Sequence, residues 1–209
     1  MRVKVCGITR VEDALLAAEF GAWAIGFVFH PKSPRFIAPE EARRIGAALP
    51  QNSALRVGVF MDQPEETILA AAAAAELDLL QLHGSEPVSL VHVLGAERCI
   101  KAVATGASFD LEAAAAHPAA YVLIDRPRTP ERAFVSLVDL DQAGVLAQRR
   151  AGTLLAGGLA PENVGEAVRH VQPWGVDISS GIETVPGIKD PDRTAAFFDA
   201  IRRAEAQQT

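Results

Sequence analysis

Short apolar segments recur eight times along this chain of 209 residues, and they alternate with segments of helical character. The apolar segments are residues 3–8, 24–29, 55–60, 77–82, 99–103, 121–125, 153–156 and 176–179. They are apolar throughout rather than alternating, which is typical of strands in a parallel sheet that is covered on both faces. Eight strand–helix units indicate either a closed barrel or an open doubly wound sheet.

The intervening segments carry signals for the beginning and end of helices. Thr9 is placed to cap a first helix, and Gly21 follows the predicted end of that helix. Proline opens further predicted helices at 39–49, from 64 through the alanines at 70–75, at 161–171 and at 191–206. The stretches 86–94 and 136–150 also favour helix. The stretch 109–116 predicts only a short or degenerate fifth helix.

The turn after the first predicted strand favours the closed barrel. An open sheet usually carries a glycine-rich fingerprint there, whereas this turn has the sequence CGIT at 6–9. Eight units in 209 residues fit the small end of the barrel size range. Because no Gly/Ser linker or break in composition divides the chain, we predict an α/β protein whose residues 1–209 form a single (β/α)₈ TIM barrel.

Composition excludes several classes of protein. The net charge of −6 and the pI near 5.4 argue against a nucleic-acid surface. No apolar run approaches the roughly 18 residues of a membrane helix, and the first residues lack the apolar region of a signal peptide. The two cysteines, Cys6 and Cys99, are too few for a disulfide framework and have no metal-site spacing. We therefore predict a cytoplasmic protein with neither metal nor membrane partner.

Two predicted loops have the composition of a phosphate site. In TIM barrels the functional site lies at the carboxyl ends of the strands, and the loops after the seventh and eighth strands often hold phosphate. Here those loops contain Gly157 and Gly158, then Ser179, Ser180 and Gly181. Glycine exposes backbone N–H groups to an anion, and serine adds hydroxyl donors. One Gly-Gly pair is usually only a turn, but two such adjacent loops predict phosphate binding.

Two further strand ends carry groups suited to proton transfer. Cys6 ends the first predicted strand, although a cysteine considered alone is more often an inert buried thiol. Asp125 ends the sixth, and a charged group there must face solvent, a partner or a ligand. A thiolate base and a carboxylic acid suit the transfer of a proton between carbon and oxygen. Cys99 begins its strand, and we interpret it as structural.

Three other polar residues leave their roles open. Arg35 follows a proline in a rigid loop, where a guanidinium suits either a two-pronged contact with a carboxylate or plain solvent exposure. His83, at the end of the fourth predicted strand, is equally compatible with a structural role and with ligand contact. Asp177 lies near the end of the last predicted strand, beside the serine-containing loop.

Taken together, these segments resemble the phosphoribosylanthranilate isomerase family. The segments that carry the resemblance are VKVCGIT (3–9), GFVF (26–29), KSPR (32–35), RVGVF (56–60), QLHG (81–84), LAGGL (155–159) with PENV (161–164), DISSGIE (177–183) and PGIKD (186–190). They span nearly the whole chain in the family's order. Single segments are not specific, but the combination is.

The resemblance implies a cofactor-independent Amadori rearrangement in tryptophan biosynthesis. N-(5-phosphoribosyl)anthranilate, a small phosphosugar, would become 1-(2-carboxyphenylamino)-1-deoxyribulose 5-phosphate. The sequence leaves open whether the protein is a monomer or a homodimer. The resemblance makes Cys6 the general base at the second carbon of the sugar and Asp125 the general acid at the ring oxygen. It places Arg35 at the anthranilate carboxylate. The remaining substrate-binding positions are His83, Gly157, Gly158, Asp177, Ser179, Ser180 and Gly181.

One loop departs from the family pattern. After the aspartate the family has Gly-Gly-Ser/Thr-Gly and then Phe-Asp-Trp, whereas residues 126–135 here are RPRTPERAFV and VDL follows at 138–140. Fewer glycines predict a stiffer loop where a lid would close.

Two alternative functions follow from the same features. A histidine-pathway or dual-specificity isomerase would use two aspartates, which Cys6 argues against. A non-catalytic barrel that binds a phosphorylated ligand has only the altered loop at 126–135 in its support.

Overall fold

A closed barrel of eight parallel strands forms the centre of the molecule in the computed structural model, which describes residues 1–127 and 138–207. The strands are β1 (Arg2–Cys6), β2 (Ala24–Val28), β3 (Leu55–Phe60), β4 (Leu79–Leu82), β5 (Cys99–Ala104), β6 (Tyr121–Asp125), β7 (Thr153–Leu155) and β8 (Gly175–Ile178). They follow one another around the barrel in chain order, and β8 pairs with β1 to close it. The predicted (β/α)₈ architecture is confirmed.

Helices connect successive strands around the outside of the barrel. They are α1 (Val11–Glu19), α2 (Pro39–Ala47), α3 (Glu65–Ala74), α4 (Val88–Leu94), α5 (Leu111–Ala115), α6 (Leu140–Arg149), α7 (Val164–Val171) and α8 (Pro191–Ala206). The five-residue α5 confirms the predicted short fifth helix. Within the described residues, no helix is both long and apolar enough to cross a membrane.

One local prediction needs correction, one small element was not predicted, and one predicted segment lies outside the described residues. The Thr9 side chain does not cap α1. Its hydroxyl donates instead to the carbonyl oxygen of Gly187 at 2.5 Å, because an antiparallel hairpin lies beside it. That hairpin, β9 (Glu183–Val185) and β10 (Ile188–Lys189), was not predicted. Residues 128–135 of the altered loop, together with 136 and 137 of the predicted sixth helix, lie outside the described residues.

The barrel interior is a packed core, so the site can lie only at the end of the barrel that the carboxyl ends of the strands form. Buried inward-facing side chains fill it, namely Ala24, Val57, Leu79, Ile100, Ala102, Leu123, Leu154 and Ala156. Trp23, Tyr121 and Trp174 pack against this cluster, with the two indole rings edge to face at 5.0 Å. Because Lys4 pairs in register with Ala24, its side chain also points inward. A second apolar layer lies between strands and helices.

A pair of glycine substitutions tests the tightness of this outer layer. A Cβ atom at Gly58 in β3 would lie 2.3 Å from Leu77 Cδ1 and 2.8 Å from Phe60 Cε2. We therefore predict that Gly58→Ala lowers the free energy of unfolding by about 1–3 kcal/mol, the usual cost of overpacking. Urea unfolding followed by circular dichroism measures this change.

Gly144→Ala is the matched control. A Cβ atom there would find its nearest neighbours at 3.9 Å, so the change should stabilise α6 by about 0.5–1 kcal/mol. Equal effects of the two substitutions would contradict the packing described here.

Candidate active site

The carboxyl ends of the strands bring the two predicted proton-transfer groups to one end of the barrel. Cys6 is the last residue of β1 and Asp125 the last residue of β6. Cys6 is 8% exposed, and the Asp125 side chain is 26% exposed. Both groups therefore lie at the barrel mouth, partly sheltered from water.

Gly7 brings the loops after β2 and β8 together above Cys6. Its φ of +74° is in the left-handed region, and a Cβ atom there would lie 2.5 Å from Arg35 Cδ and 3.1 Å from Ser179 Oγ. Glycine is required here because a side chain would both strain the backbone and displace Arg35. The arginine and the serine-containing loop are thus immediate neighbours of the candidate base.

The two predicted phosphate loops touch each other and the candidate acid. A Cβ atom at Gly181 would lie 2.0 Å from the carbonyl oxygen of Leu159, so the loops after β7 and β8 are in direct contact. Gly157 and Gly158 have φ values of +87° and +81°. A Cβ atom at Gly157 would lie 2.9 Å from Asp125 Oδ1. The glycine-rich surface is therefore continuous with the Asp125 carboxylate.

Asp125 is held by a short chain of polar groups. Its Oδ2 lies 3.3 Å from His83 Nε2, and its Oδ1 accepts from the Arg126 N–H at 2.7 Å. Behind the histidine, Gln81 Nε2 lies 2.9 Å from His83 Nδ1. Burial acts to raise the pKa of Asp125, but His83 and the Arg126 N–H outweigh it and lower that pKa overall. Asp125 is therefore a carboxylate before any ligand binds.

The thiol of Cys6 lies among several charges. Burial, together with the Asp177 carboxylate, raises the pKa of Cys6 above its ordinary value overall, although the ammonium groups of Lys4 and Lys189 oppose this. Lys189 Nζ also donates to the carbonyl oxygen of Cys6 at 2.6 Å and to that of Ser179 at 3.3 Å. β10 is thereby tied to the ends of β1 and β8.

Arg35 is already engaged by a carboxylate of the protein. Its Nε donates to Glu183 Oε1 at 2.9 Å and its Nη2 to Glu183 Oε2 at 2.6 Å. Lys189 Nζ holds the same Oε1 at 2.8 Å. The Arg35 side chain nevertheless remains 21% exposed, whereas Glu183 is 4% exposed. The geometry therefore presents a fixed, partly open guanidinium beside Gly7.

Asp177 lies deeper than the sequence suggested, inside β8 and paired in register with Lys4. Lys4 Nζ donates to Asp177 Oδ1 at 2.8 Å. Burial raises the pKa of Asp177, as does the charge of Asp125, while Lys4 opposes both. Asp177 is therefore within electrostatic range of both the candidate base and the candidate acid.

Sequence reasoning missed three charged residues of this site, Lys4, Glu183 and Lys189. Each lies inside a segment that carries the family resemblance. For Glu183 and Lys189, that resemblance was the feature of the sequence that could have identified them. Lys4 had a second signal, because it stands two residues before Cys6 and must share its side of the strand. In residues 1–127 and 138–207, no three His, Cys, Asp or Glu side chains group as metal ligands would.

Known proteins are similar to this chain in both sequence and structure. The family model described as N-(5'-phosphoribosyl)anthranilate (PRA) isomerase matches residues 3–200. The N-(5'-phosphoribosyl)anthranilate isomerase of Thermotoga maritima is 45% identical over 202 residues, which cover 95% of this chain and 97% of that protein.

Two solved structures are similar over the full length. Monomers generated from the dimeric phosphoribosylanthranilate isomerase of Thermotoga maritima superpose with a TM-score of 0.86 at 40% identity, covering 97% of this chain and 99% of theirs. A phosphoribosylanthranilate isomerase in complex with reduced 1-(o-carboxyphenylamino)-1-deoxyribulose 5-phosphate has a TM-score of 0.85 and 42% identity, with the same coverage.

The Glu183 network should make folding stability depend on pH in a defined direction. Burial acts to raise the pKa of Glu183, but Arg35 and Lys189 lower it overall. A lowered folded-state pKa adds stability above the unfolded value, and this stability is lost as the pH falls through the folded value. We predict that Glu183→Gln costs about 3 kcal/mol at neutral pH, because it leaves two cations without their carboxylate.

Urea unfolding between about pH 3 and about pH 7 measures this difference. The difference in unfolding free energy between the original protein and Glu183→Gln should be constant above about pH 5 and should become smaller below about pH 4.5. Glu41→Gln removes an exposed glutamate that pairs with Arg44, and it should leave stability unchanged at every pH. A gap that widens in acid would contradict the ion network.

Proposed function

The chain belongs to the N-(5'-phosphoribosyl)anthranilate isomerase family, and we propose that Cys6 and Asp125 are the base and the acid of its reaction. It is an isomerase of tryptophan biosynthesis that converts N-(5-phosphoribosyl)anthranilate to 1-(2-carboxyphenylamino)-1-deoxyribulose 5-phosphate by acid–base catalysis without a cofactor. The observation that carries the proposed roles is that both groups end their strands at one mouth, with Asp177 in electrostatic reach of each.

The first proposed step opens the furanose ring. Asp125 donates a proton to the ring oxygen, the bond between this oxygen and the first carbon breaks, and the anthranilate nitrogen supplies the electron pair for an iminium ion. Asp125 is ionised before the ligand binds, so it must first gain a proton. The phosphate and carboxylate of the substrate bring negative charge to the mouth and raise the pKa of Asp125. His83, at 3.3 Å, orients the carboxyl group.

The second proposed step moves hydrogen without net oxidation or reduction. The Cys6 thiolate removes the proton from the second carbon, and the electron pair of that C–H bond neutralises the iminium ion to give an enolamine. The enolamine then transfers its hydroxyl proton to the first carbon, which leaves a ketone at the second. Proton exchange with solvent returns the thiol and the carboxylate to their starting forms.

The proposed binding groups surround these two residues. Arg35 would hold the anthranilate carboxylate; a guanidinium has five N–H donors, so the contact with Glu183 does not exhaust them. His83 and Asp177 would contact the sugar. The phosphate would lie against the joined loops after β7 and β8, at Gly157, Gly158, Ser179, Ser180 and Gly181.

The remaining features of the proposal concern organisation. We propose that residues 1–209 act as one catalytic domain in the cytoplasm, as a monomer or homodimer, on a small phosphosugar rather than on nucleic acid or a membrane. The acidic net charge supports the exclusion of nucleic acid as a partner. The 40% identity to the Thermotoga maritima isomerase, which is described as dimeric, supports the homodimer.

Growth rescue tests the proposed activity in a cell. A tryptophan auxotroph that lacks only this isomerase should grow without tryptophan when it expresses the chain, whereas a histidine auxotroph that lacks the related sugar-phosphate isomerase should not grow without histidine. Rescue of the histidine strain would support the dual-specificity alternative. Rescue of neither strain by well-expressed protein would contradict the activity.

Substitution of the proposed acid and base should abolish turnover while preserving binding. We predict that Cys6→Ala and Asp125→Asn each lower turnover by a factor of at least about one hundred, the usual contribution of a positioned acid or base. The affinity for a reduced product analogue, measured by calorimetry, should fall far less. Cys99→Ser is the control, because this buried thiol begins β5 far from the mouth, and it should retain activity. Near-full turnover in Cys6→Ala would exclude the assigned base.

Arg35→Ala should separate the two ends of the ligand. We predict at least about a tenfold loss of affinity for the product analogue, since a charge-assisted pair is typically worth about 1.5–3 kcal/mol. Affinity for inorganic phosphate should change little. Arg44→Ala, on the exposed face of α2, is the control and should alter neither affinity. Equal losses for both ligands would place Arg35 elsewhere in the site.

A further inference from the structure

A fully buried cation lies directly below the candidate base. Lys4 is 0% exposed and stands two residues before Cys6 in β1, so both side chains point into the barrel. The apolar cluster of the barrel interior adjoins it, with Ala24 beside it in β2. A lysine is almost never fully buried without a specific partner, because removing its charge from water is costly. This position therefore needs an explanation beyond packing.

The neighbouring strands show where the Lys4 ammonium group lies. On one side, its Nζ donates to Asp177 Oδ1 in β8 at 2.8 Å. On the other side is Gly26, which pairs in register with Cys6. A Cβ atom at Gly26 would lie 3.1 Å from Lys4 Nζ and 2.9 Å from Cys6 Sγ. The ammonium nitrogen and the thiol sulfur are therefore no more than 6.0 Å apart, the sum of these two distances.

Four charged groups face the thiol from the elements packed against it. Burial raises the pKa of Cys6, and the charge of Lys4 is the largest influence that lowers it. Lys189 on β10 lowers that pKa as well, while Asp177 on β8 raises it. The charge of Cys6 in turn raises the pKa of Arg35 in the loop after β2. Lys189 is also buried, but its Nζ is held by Glu183 and by backbone carbonyl oxygens, whereas Lys4 lies beneath the sulfur.

We propose that Lys4 is a positioning residue whose ammonium group, beneath Cys6 Sγ, stabilises the thiolate relative to the thiol. A thiol removes a proton only as the thiolate, and a buried thiolate requires a nearby positive charge. Gly26 leaves the space through which the ammonium group reaches the sulfur. The inference rests on the proposed role of Cys6 and adds the group that most favours its thiolate.

An ion pair at this depth is poorly explained by stability alone. Replacing a buried pair by apolar side chains of similar volume is often neutral or stabilising. A methionine at position 4 would fill the same space next to Ala24 without an unpaired charge of its own. The pair therefore fits the chemistry of the neighbouring sulfur better than it fits the needs of the core.

The test measures the ionisation of Cys6 directly, without substrate. In a Cys99→Ser background, the rate of alkylation by iodoacetamide is followed from about pH 6 to about pH 11, where thiolate formation controls the reaction. Lys4→Met should raise the midpoint of this curve by about one pH unit or more, so that alkylation at neutral pH becomes about tenfold slower. Lys4→Arg, which restores the charge, should recover part of the shift. Thermal unfolding verifies that each variant is folded.

Lys4→Met/Asp177→Asn covers the case in which Lys4→Met fails to fold, because it removes both members of the ion pair. Asp177→Asn alone lacks the anion that raises the pKa of Cys6, so its alkylation midpoint should fall, and the double variant should have a higher midpoint than Asp177→Asn. An unchanged midpoint in folded Lys4→Met, or equal midpoints in Asp177→Asn and the double variant, would overturn the proposal. A merely structural Lys4 would alter thermal stability and leave the midpoint the same with and without the lysine.

Turnover separates this inference from the role of Cys6 itself. If both hold, the pH profile of kcat/KM in Lys4→Met should shift by the same amount as the alkylation midpoint. If Cys6→Ala retains turnover, the base assignment fails, although the alkylation midpoint would still respond to Lys4. The two failures therefore give different results.

Discussion

The parallel pairing of β8 with β1 closes the barrel, and the positions of the candidate catalytic groups depend on that pairing. Its register places Asp177 directly opposite Lys4. A shift of the pairing by one residue would move every inward side chain of β8 to the outer face. Closure also brings the ends of β1, β6 and β8 to one rim, although they are far apart in the chain. The candidate base and the candidate acid reach one rim only after this long-range pairing has formed.

Charge at this rim is arranged in connected pairs rather than as isolated ions. Asp177 holds Lys4 beneath the thiol, while Glu183 holds both Arg35 and Lys189 beside it. Each carboxylate thereby fixes a cation whose own contacts reach the end of β1. Because buried charges without partners are costly, these pairs permit three cations to lie near one sulfur atom in a protein of net negative charge.

The fold could be predicted from the sequence because its signals are local. Continuous apolar runs gave the strands to within one or two residues, and proline at position 191 gave the last helix with its correct bounds. The small hairpin was missed because β9 and β10 together contain only five residues and lack an apolar pattern. The candidate base and acid were identifiable because each ends an apolar strand. Partners such as Lys4 were missed, because a lysine in a strand ordinarily faces water and barrel closure is what buries this one.

Because Gly26 has no side chain, the residues that can occupy positions 4, 6 and 26 on two neighbouring strands depend on one another. Any larger residue there would occupy the space between Lys4 Nζ and Cys6 Sγ, so it is compatible only with a shorter residue at position 4 or 6. Substitutions at these three positions are therefore expected to occur together among relatives rather than singly.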